Sequence, residues 1–273
     1  MKKRLKNSVS GFTLAEILVT VAIIGIILAM LIPALNMVQK TANNVKQKSQ
    51  FNSLSIALEA FRVDFGDYPE SSYTSASGMY NGAQKLAEAI VGLDGFGFHP
   101  KSEFRSDGQA DVDGDGTPVP IYTEDNRNMR KGPYLELETA NAVDLKDLYD
   151  GSAGVLAEET KVLADMFGLV RHKGTSKRTG MPVLYYRADT TKPGEEYEVA
   201  DNINILALRF PSKMYSPPSQ MHPMLDRPEK FLESIRNPNF TNRYYRTESF
   251  ILLSAGHDGL YGTPDDVFNF DNQ

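Results

Sequence analysis

The fold is decided near the amino terminus by a long apolar stretch, GFTLAEILVTVAIIGIILAMLIPAL, at residues 11–35. From Phe12 to Leu35 the only charged residue is Glu16. At about 1.5 Å per residue, a helix of about 24 residues measures roughly 36 Å, which is enough to cross the hydrocarbon core with some tilt. The stretch therefore predicts a membrane-spanning helix, and it leaves the position of a carboxylate near the helix start to be explained.

The flanks of this stretch give its orientation and exclude a cleaved secretory signal. Four basic residues and no acidic residue lie within residues 1–11, so the positive-inside rule predicts a cytoplasmic amino terminus. A secretory signal would have an apolar region of about 7–15 residues and a small-residue cleavage site. This run is longer, and residues 32–34 match such a site poorly. A plain signal anchor explains the run and the basic flank, but it leaves Gly11-Phe12 and Glu16 unexplained.

The junction Gly11-Phe12, with Glu16 four residues further on, resembles the amino terminus of type IV prepilins and type II secretion pseudopilins. The resemblance implies that a prepilin peptidase cuts after Gly11 and that Phe12 is then N-methylated. It also implies that Glu16, fifth in the mature chain, pairs with the new amine of Phe12 in the same or a neighbouring subunit during filament assembly. Pro33 falls where the family often has a helix-bending proline. The alternative for Glu16 is a side chain that reaches the lipid headgroups.

After residue 35 the pattern changes from uniformly apolar to amphipathic. Leu54, Leu58, Phe61 and Phe65 recur at three- and four-residue spacing, and Gly66 is a natural helix stop. One helix is therefore expected from about Phe12 to Phe65, its second half facing a globular domain. The alternative is a membrane anchor followed by a separate amphipathic helix, because a proline such as Pro33 can break a helix.

The resemblance implies an α+β, pilin-like fold, in which the long amino-terminal helix packs on a small antiparallel β-sheet domain with inserted loops. Residues 66–69 match the family's G-x-Y-P segment after the helix. The expected layout is a leader (1–11), a transmembrane or filament-core helix (12–35), an amphipathic helix half (36–66) and a periplasmic globular domain (67–273). Insertions are expected at about 93–130 and 188–248, with a calcium loop at 253–267.

Local patterns within the globular domain predict several short elements. Helices are expected over Asn81–Val91, with Asn81 as N-cap and Gly92 as stop, over Asn141–Asp150 and over Arg227–Arg236. Strands are expected over Pro182–Arg187 and Phe250–Ser254.

An acidic, glycine-rich loop, SAGHDGLYGTPDDV at residues 254–267, follows the second of these strands. Flexible backbone carbonyls interspersed with carboxylates suit Ca²⁺, which takes six to eight oxygen ligands. The loop resembles the calcium loop of major pseudopilins, which implies a structural Ca²⁺ held by side chains of Asp258, Asp265 and Asp266. Backbone carbonyls near Leu253, Ser254 and Leu260 would complete the ligand set. The alternative is a solvated acidic turn, and His257 is expected to be a spacer.

A second acidic cluster, DVDGDGT at residues 111–117, resembles the first half of an EF-hand loop. Asp111, Asp113 and Asp115 occupy the first, third and fifth positions, but Tyr122 occupies the twelfth, where a bidentate acid is needed. The cluster is a weaker metal candidate that would need a remote acid.

Composition narrows the function classes. The chain has no cysteine, which excludes disulfides, zinc–thiolate sites and cysteine nucleophiles. Outside residues 1–11, 25 basic residues face 35 acidic ones, a net charge of −10 that disfavours nucleic acid. The histidines, His99, His172, His222 and His257, have no metal spacing, and no hydrolase or Walker motif is present, so no enzymatic role is expected.

The resemblance implies a structural subunit of a type II secretion pseudopilus in the bacterial inner membrane, with its carboxyl-terminal domain in the periplasm. Its implied partners are other copies of the chain, other pseudopilins, the prepilin peptidase, the inner-membrane assembly platform and membrane lipid. Two alternatives remain open: a type IV pilus or other surface-filament subunit, and a membrane-anchored, calcium-stabilised binding module that does not polymerise. Whether the chain is a major or a minor pseudopilin also remains open.

Overall fold

The computed structural model describes residues 11–73, 79–149, 160–171, 178–208, 221–240 and 243–271. The chain divides into two compact units, residues 1–42 and residues 43–273. The architecture is α+β, with a long amino-terminal helix followed by small antiparallel sheets.

Helix α1 runs from Leu14 to Phe65 and contains Pro33 in its interior. The expectation of a single helix is therefore confirmed, and the alternative of a separate amphipathic helix after Pro33 is wrong. Proline costs one backbone hydrogen bond, and a helix of 52 residues tolerates that loss because many other bonds remain. Buried residues of α1 begin at Gln47 and recur along one face through Leu54, Leu58 and Phe61, as the amphipathic pattern predicted.

The remaining elements are short. The helices are α2 (Gly82–Val91), α3 (Leu137–Ala140), α4 (Leu145–Leu148), α5 (Ile203–Leu206), α6 (Pro223–Asp226) and α7 (Pro228–Ser234), with 3-10 turns at Arg127–Met129 and Val199–Asn202. The strands are β1 (Gln109–Ala110), β2 (Val119–Pro120), β3 (Ala142–Asp144), β4 (Lys161–Leu163), β5 (Val170–Arg171), β6 (Arg178–Thr179), β7 (Leu184–Arg187), β8 (Phe250–Ser254) and β9 (Val267–Phe268).

The central sheet has the antiparallel order β7-β8-β9, with Leu184 opposite Leu253 and Leu253 opposite Phe268. Successive side chains of a strand point to opposite faces. Accordingly Tyr185, Phe250 and Leu252 belong to one core cluster with Phe51, Leu54 and Leu58 of α1. Residues Leu184, Tyr186, Ile251 and Leu253 belong to a second cluster with α5, α6 and α7. Burial on both faces explains why β8 reads as a continuous apolar run.

Four of the predicted elements lie close to their expected places. Helix α2 follows Asn81 and ends at Gly92, and the Gln84 side chain accepts a hydrogen bond from the Asn81 N–H at 2.9 Å. Strand β8 matches its prediction, and β7 starts two residues later than predicted. Helix α7 covers most of the predicted Arg227–Arg236 segment.

The predicted helix at Asn141–Asp150 is wrong in its first half. Residues 142–144 form strand β3, which pairs with β4 so that Val143 lies opposite Val162. Asn141 adopts a left-handed conformation (φ 54°) that ends α3 and turns the chain into the strand. The sheet pairing overrides the local helical pattern, so within the described part of the predicted segment only α4 is helical. Asp150 lies outside the described residues.

Candidate functional site

The processing junction lies at the amino-terminal end of α1. Gly11 and Phe12 precede the helix and are exposed, and the Phe12 side chain retains 85% of its accessible surface. The carbonyl of Thr13 accepts the first helical hydrogen bond from the Ile17 N–H at 3.3 Å, which makes Thr13 the N-cap. The predicted cleavage and methylation residues therefore lie in an accessible segment immediately before the first turn of α1.

The Glu16 carboxylate has a partner within its own helix. One oxygen, Oε2, accepts hydrogen bonds from the Thr13 backbone N–H at 2.8 Å and from the Thr13 hydroxyl at 2.9 Å. In return, the Glu16 N–H donates to Thr13 Oγ1 at 3.3 Å. This is a capping box, in which two otherwise unpaired helix-end donors are satisfied reciprocally. Its T-x-x-E signature, from Thr13 to Glu16, is a local signal in the sequence for this cap, in addition to the Phe12 amine and the lipid headgroups as partners of Glu16.

The amino-terminal part of α1 is long and apolar enough to span a membrane by length and composition. Its apolar side chains, among them Ile17, Ile24 and Leu31, are exposed, and Pro33 lies inside the helix. A row of exposed apolar side chains of this length suits lipid or other apolar helices, so this helix is compatible with membrane anchoring.

The carboxyl-terminal acidic loop joins β8 to β9 and is organised by Asp265. The Asp265 Oδ2 accepts hydrogen bonds from the His257 N–H at 2.7 Å and the Asp258 N–H at 2.8 Å, and its Oδ1 accepts one from the Thr263 hydroxyl at 2.5 Å. The Asp258 Oδ1 accepts a hydrogen bond from the Leu260 N–H at 2.7 Å. Asp265 therefore joins the backbone at residues 257–258 to the end of the loop.

Asp266 differs from these two carboxylates because one of its oxygens is left unpaired. Its Oδ2 accepts a hydrogen bond from the Gly262 N–H at 2.8 Å, whereas its Oδ1 is buried without a hydrogen-bond partner in the described part of the chain. Burial, reinforced by the charges of Asp265 and Asp258, raises the Asp266 pKa well above its ordinary value. A buried carboxylate oxygen without a donor is a group that a cation would satisfy.

The three predicted backbone ligands lie around the same loop. Leu253 and Ser254 end the central strand β8, and Leu260 lies within the loop, where its carbonyl accepts a hydrogen bond from the Thr263 hydroxyl at 3.2 Å. The His257 side chain is exposed, in keeping with its predicted role as a spacer. The six predicted ligand positions therefore run from the last two residues of β8 to the residue before β9.

One carboxylate beneath this loop was not singled out as a site residue from the sequence. Asp165 is buried, and it accepts hydrogen bonds from the Ser254 hydroxyl at 2.8 Å and from the Phe167 and Met181 N–H groups at 3.2 Å. Burial raises its pKa to about 7. Asp165 anchors the end of β8, from which the acidic loop starts, and its position 89 residues away in sequence hides this role.

Unlike Asp258, Asp265 and Asp266, the second acidic cluster brings three carboxylates close together among the described residues. Single carboxylate oxygens of Asp111, Asp113 and Asp115 lie within 4.8 Å of one another. The Asp111 carboxylate accepts hydrogen bonds from the Gly114 N–H at 2.7 Å and the Gly116 N–H at 2.9 Å, so the loop is already closed by its own backbone. Asp113 and Asp115 are exposed, and the pattern is that of a solvated acidic turn as much as a metal loop.

Among the described residues, the histidines lie apart and do not form a common site. His99 and His222 are buried at separate places, and His257 is exposed; His172 lies outside the described residues. Burial lowers the pKa of His222 to about 4, so the ring is neutral, and its Nδ1 accepts a hydrogen bond from the Tyr261 N–H. His222 therefore packs against the acidic loop as a neutral hydrogen-bond acceptor.

Comparison with known proteins bears on the amino-terminal segment alone. No curated protein and no solved structure matches the chain. Residues 6–32 match the family described as "Prokaryotic N-terminal methylation motif". This segment includes Gly11, Phe12 and Glu16 and most of the apolar run at residues 12–35. The motif indicates a type IV pilin-like protein that is processed from a prepilin.

Proposed function

We propose that the chain is a structural subunit of a type II secretion pseudopilus, a periplasmic filament that drives export of folded proteins. The observation that carries the proposal is the methylation motif at residues 6–32, which coincides with the start of a membrane-length helix. An α+β unit of small antiparallel sheets follows that helix, as expected for a pilin-like protein. No covalent chemistry on a substrate is part of this function.

In the proposed sequence of events, the prepilin peptidase removes residues 1–11 and Phe12 becomes the methylated amino terminus. The subunit then waits in the bacterial inner membrane, its carboxyl-terminal domain in the periplasm, until the assembly platform adds it to the filament. Within the filament, the exposed apolar side chains of α1 would exchange lipid for the helices of neighbouring copies and of other pseudopilins.

Glu16 is proposed to guide this addition. Its carboxylate accepts both hydrogen bonds from Thr13 through one oxygen, Oε2, so Oε1 is not needed for the capping box. An incoming Phe12 amine could therefore be bound by the same carboxylate without loss of the cap. A charge pair in an apolar environment is strongly favoured over two unpaired charges, which gives subunits a preferred register.

We further propose that the acidic loop binds a structural Ca²⁺. The side chains of Asp258, Asp265 and Asp266 would hold the ion together with backbone carbonyls near Leu253, Ser254 and Leu260. The support is the buried, unpartnered Oδ1 of Asp266 and the hard-oxygen donor set. A bound ion would join the loop to the sheet and stabilise a domain that has no disulfide.

A type IV pilus or other surface filament is the nearest alternative, because the methylation motif is common to both systems. An export system would require the protein for cargo secretion, whereas a pilus would extend beyond the cell and support adhesion, motility or DNA uptake. A membrane-anchored binding module that does not polymerise is the alternative from another class, and it predicts that Glu16 is dispensable.

Mass spectrometry of the mature protein tests the processing step. The amino terminus is expected at Phe12, about 14 Da heavy from one methyl group. An amino terminus at Met1, or an unmodified Phe12, would contradict the proposal at its first step. If Glu16→Ala were processed yet still assembled and supported secretion normally, the filament role would fail while the processing step stood.

A further inference from the structure

A polar cleft of about 500 Å³ lies in the second unit, away from both acidic loops in sequence. It is formed by residues 70–72, by the end of β7 at Arg187 and by the segment 188–201. Five carboxylates line it and only two basic residues do. The acidic residues are Glu70, Asp189, Glu196, Glu198 and Asp201, and the basic residues are Arg187 and Lys192.

Three of these carboxylates are neutralised by cations of the chain itself. Lys85 pairs with Glu70 at 2.5 Å, with its ammonium nitrogen buried beneath the cleft. Lys192 pairs with Glu198 at 2.8 Å and with Asp189 at 3.6 Å. Arg187 points its guanidinium at Asp67, which lies outside the cleft lining, at 2.5 Å. Both basic residues of the cleft lining therefore already form ion pairs with carboxylates of the chain.

Glu196 and Asp201 are left without a cationic partner among the described residues. Glu196 is 7% exposed, and its Oε2 is buried with no hydrogen-bond partner in the part of the chain that the structure describes. Its backbone carbonyl accepts a hydrogen bond from the Asp189 N–H at 2.8 Å, which fixes the segment that carries it. The described part of the chain therefore supplies no donor to this buried oxygen, whereas buried carboxylate oxygens are normally hydrogen-bonded.

Asp201 lies on the same wall and is 8% exposed. It accepts a hydrogen bond from the Ser71 hydroxyl at 2.5 Å, and Ser71 Oγ accepts one from the Arg187 N–H at 2.9 Å. This chain of bonds ties Asp201 to the end of β7. Burial raises the pKa of Asp201 to about 6, although the Ser71 hydrogen bond and the charge of Lys85 oppose the rise.

The size of the cleft favours an organic cation over a single metal ion. A void of about 500 Å³ is far larger than one ion with its oxygen shell requires. It leaves room for a ligand with a body and a cationic end.

We propose that this cleft is a binding site for an organic cation, namely the side chain of a lysine or arginine that another protein chain presents. Its ammonium or guanidinium group would bond to Glu196 and Asp201, and its aliphatic stem would lie along the cleft over Ala188. A charge-assisted hydrogen bond to the buried Glu196 oxygen would supply the donor that the chain itself lacks. This proposal is independent of the filament function and of Ca²⁺ binding.

The test uses the full-length protein in detergent with ¹³C-methyl alanine, because the methyl group of Ala188 lines the cleft. N-acetyl-lysine amide and N-acetyl-arginine amide are titrated and the Ala188 methyl signal, assigned with A188G, is followed. Saturable shifts are expected with both ligands and none with N-acetyl-glutamine amide, which has a similar body without the charge. If the glutamine ligand bound equally, or if no ligand produced a saturable shift, the proposal would be overturned.

Two variants with the same change of charge locate the site. E196Q is expected to weaken binding at least tenfold, whereas E195Q is expected to stay within twofold because Glu195 is exposed and does not line the cleft. Equal effects of both variants would show unspecific attraction to an acidic surface. Saturable displacement of the lysine ligand by Ca²⁺ would mean a metal site and would also overturn the proposal. The comparison of lysine and glutamine ligands uses the unaltered chain, so it decides the proposal even if E196Q does not fold.

Discussion

The Thr13 N–H donates a hydrogen bond to the Glu16 carboxylate at 2.8 Å, and the Glu16 N–H donates one to the Thr13 hydroxyl at 3.3 Å. The carboxylate that looked out of place in an apolar helix is therefore half of the helix cap. Glu16 can serve two purposes that a single alanine variant would confuse. As a cap it stabilises the helix start, and as a charge it can bind the amine of a neighbouring subunit.

Three substitutions separate these purposes. Glu16→Gln keeps a residue that can complete a capping box but removes the charge, whereas Thr13→Ala removes the cap and keeps the charge. If the charge guides assembly, Glu16→Gln and Glu16→Ala should both abolish filaments. Thr13→Ala should still assemble, with a cost of about 0.5–2 kcal/mol at the helix start. Filament formation is measured by cross-linking and sedimentation after expression with the other assembly components.

Processing is the control for these variants, since each protein must first be shown by mass spectrometry to start at Phe12. Normal filaments from Glu16→Gln together with lost filaments from Thr13→Ala would contradict the charge hypothesis. That pattern would assign Glu16 to the cap alone.

Calcium should raise the thermal stability of the protein. If the acidic loop binds Ca²⁺, an ion concentration about 100-fold above its dissociation constant would add about 2.7 kcal/mol of stability. Thermal unfolding of the full-length protein in detergent, with chelator and with Ca²⁺, measures the difference. Asp265→Ala is expected to lose the shift, because Asp265 both orders the loop and is a proposed ligand.

Asp113→Ala is the matched control, since it removes an exposed carboxylate from the other acidic loop. Its calcium shift should equal that of the unaltered chain. A shift that survived in Asp265→Ala but vanished in Asp113→Ala would move the site to residues 111–117.

Gly82→Ala should destabilise the second unit by about 1–3 kcal/mol. A methyl group on Gly82 would collide with the Tyr185 carbonyl oxygen and lie 3.2 Å from the Ser71 carbonyl oxygen. Both contacts are with backbone, which cannot move aside without disturbing β7. Urea unfolding followed by tyrosine fluorescence measures the loss, since the chain contains no tryptophan.

Gly25→Ala makes the same chemical change where no atom lies within 4 Å of the added methyl. It should leave stability unchanged or slightly higher, because alanine favours a helix more than glycine does. Equal unfolding curves for Gly82→Ala and the unaltered protein would show that helix α2 does not pack against β7 as closely as described.

The titration of Glu88 should lower the free energy of unfolding as pH rises. It is buried, and three hydroxyl groups donate hydrogen bonds to it, from Tyr80 at 2.7 Å, Ser102 at 2.5 Å and Tyr122 at 2.7 Å. Burial is the cause that raises its pKa above the ordinary 4.5, and the three hydroxyl hydrogen bonds and then the charge of Lys85 oppose the rise. The folded chain therefore holds a proton that the unfolded chain has lost, so the free energy of unfolding falls as pH rises above 4.5 through the raised pKa.

Glu88→Gln removes this titration and should flatten the dependence of stability on pH above 4.5. Urea unfolding at a series of pH values gives the two slopes. Other buried acids contribute to both curves, so the difference between them isolates Glu88. Glu138→Gln, at an exposed position, should leave the slope unchanged, and identical slopes for Glu88→Gln and the unaltered chain would contradict the prediction.

The sequence by itself determined the amino-terminal quarter of the molecule. A long run of apolar residues can satisfy its backbone in lipid only as a helix, so helix α1 and its capacity to span a membrane follow from the residues 12–35. The junction at Gly11-Phe12 and the spacing to Glu16 are local as well. Helix α2 and strand β8 could also be predicted, because their signals are local: an N-cap and a stop glycine for α2, and a continuous apolar run for β8.

The tertiary structure decided what depends on residues far apart in sequence. Strand β3 replaces the first half of a predicted helix because Val143 pairs with Val162 across a sheet. Local propensity carries no information about such a distant partner. Asp165 reaches Ser254 across 89 residues, and Glu196 and Asp201 share a cleft wall with residues 70–72. Whether a carboxylate is solvated, paired or buried without a donor is set by the chain that folds around it. That is why the sequence identified acidic loops, while the structure alone revealed the acidic cleft.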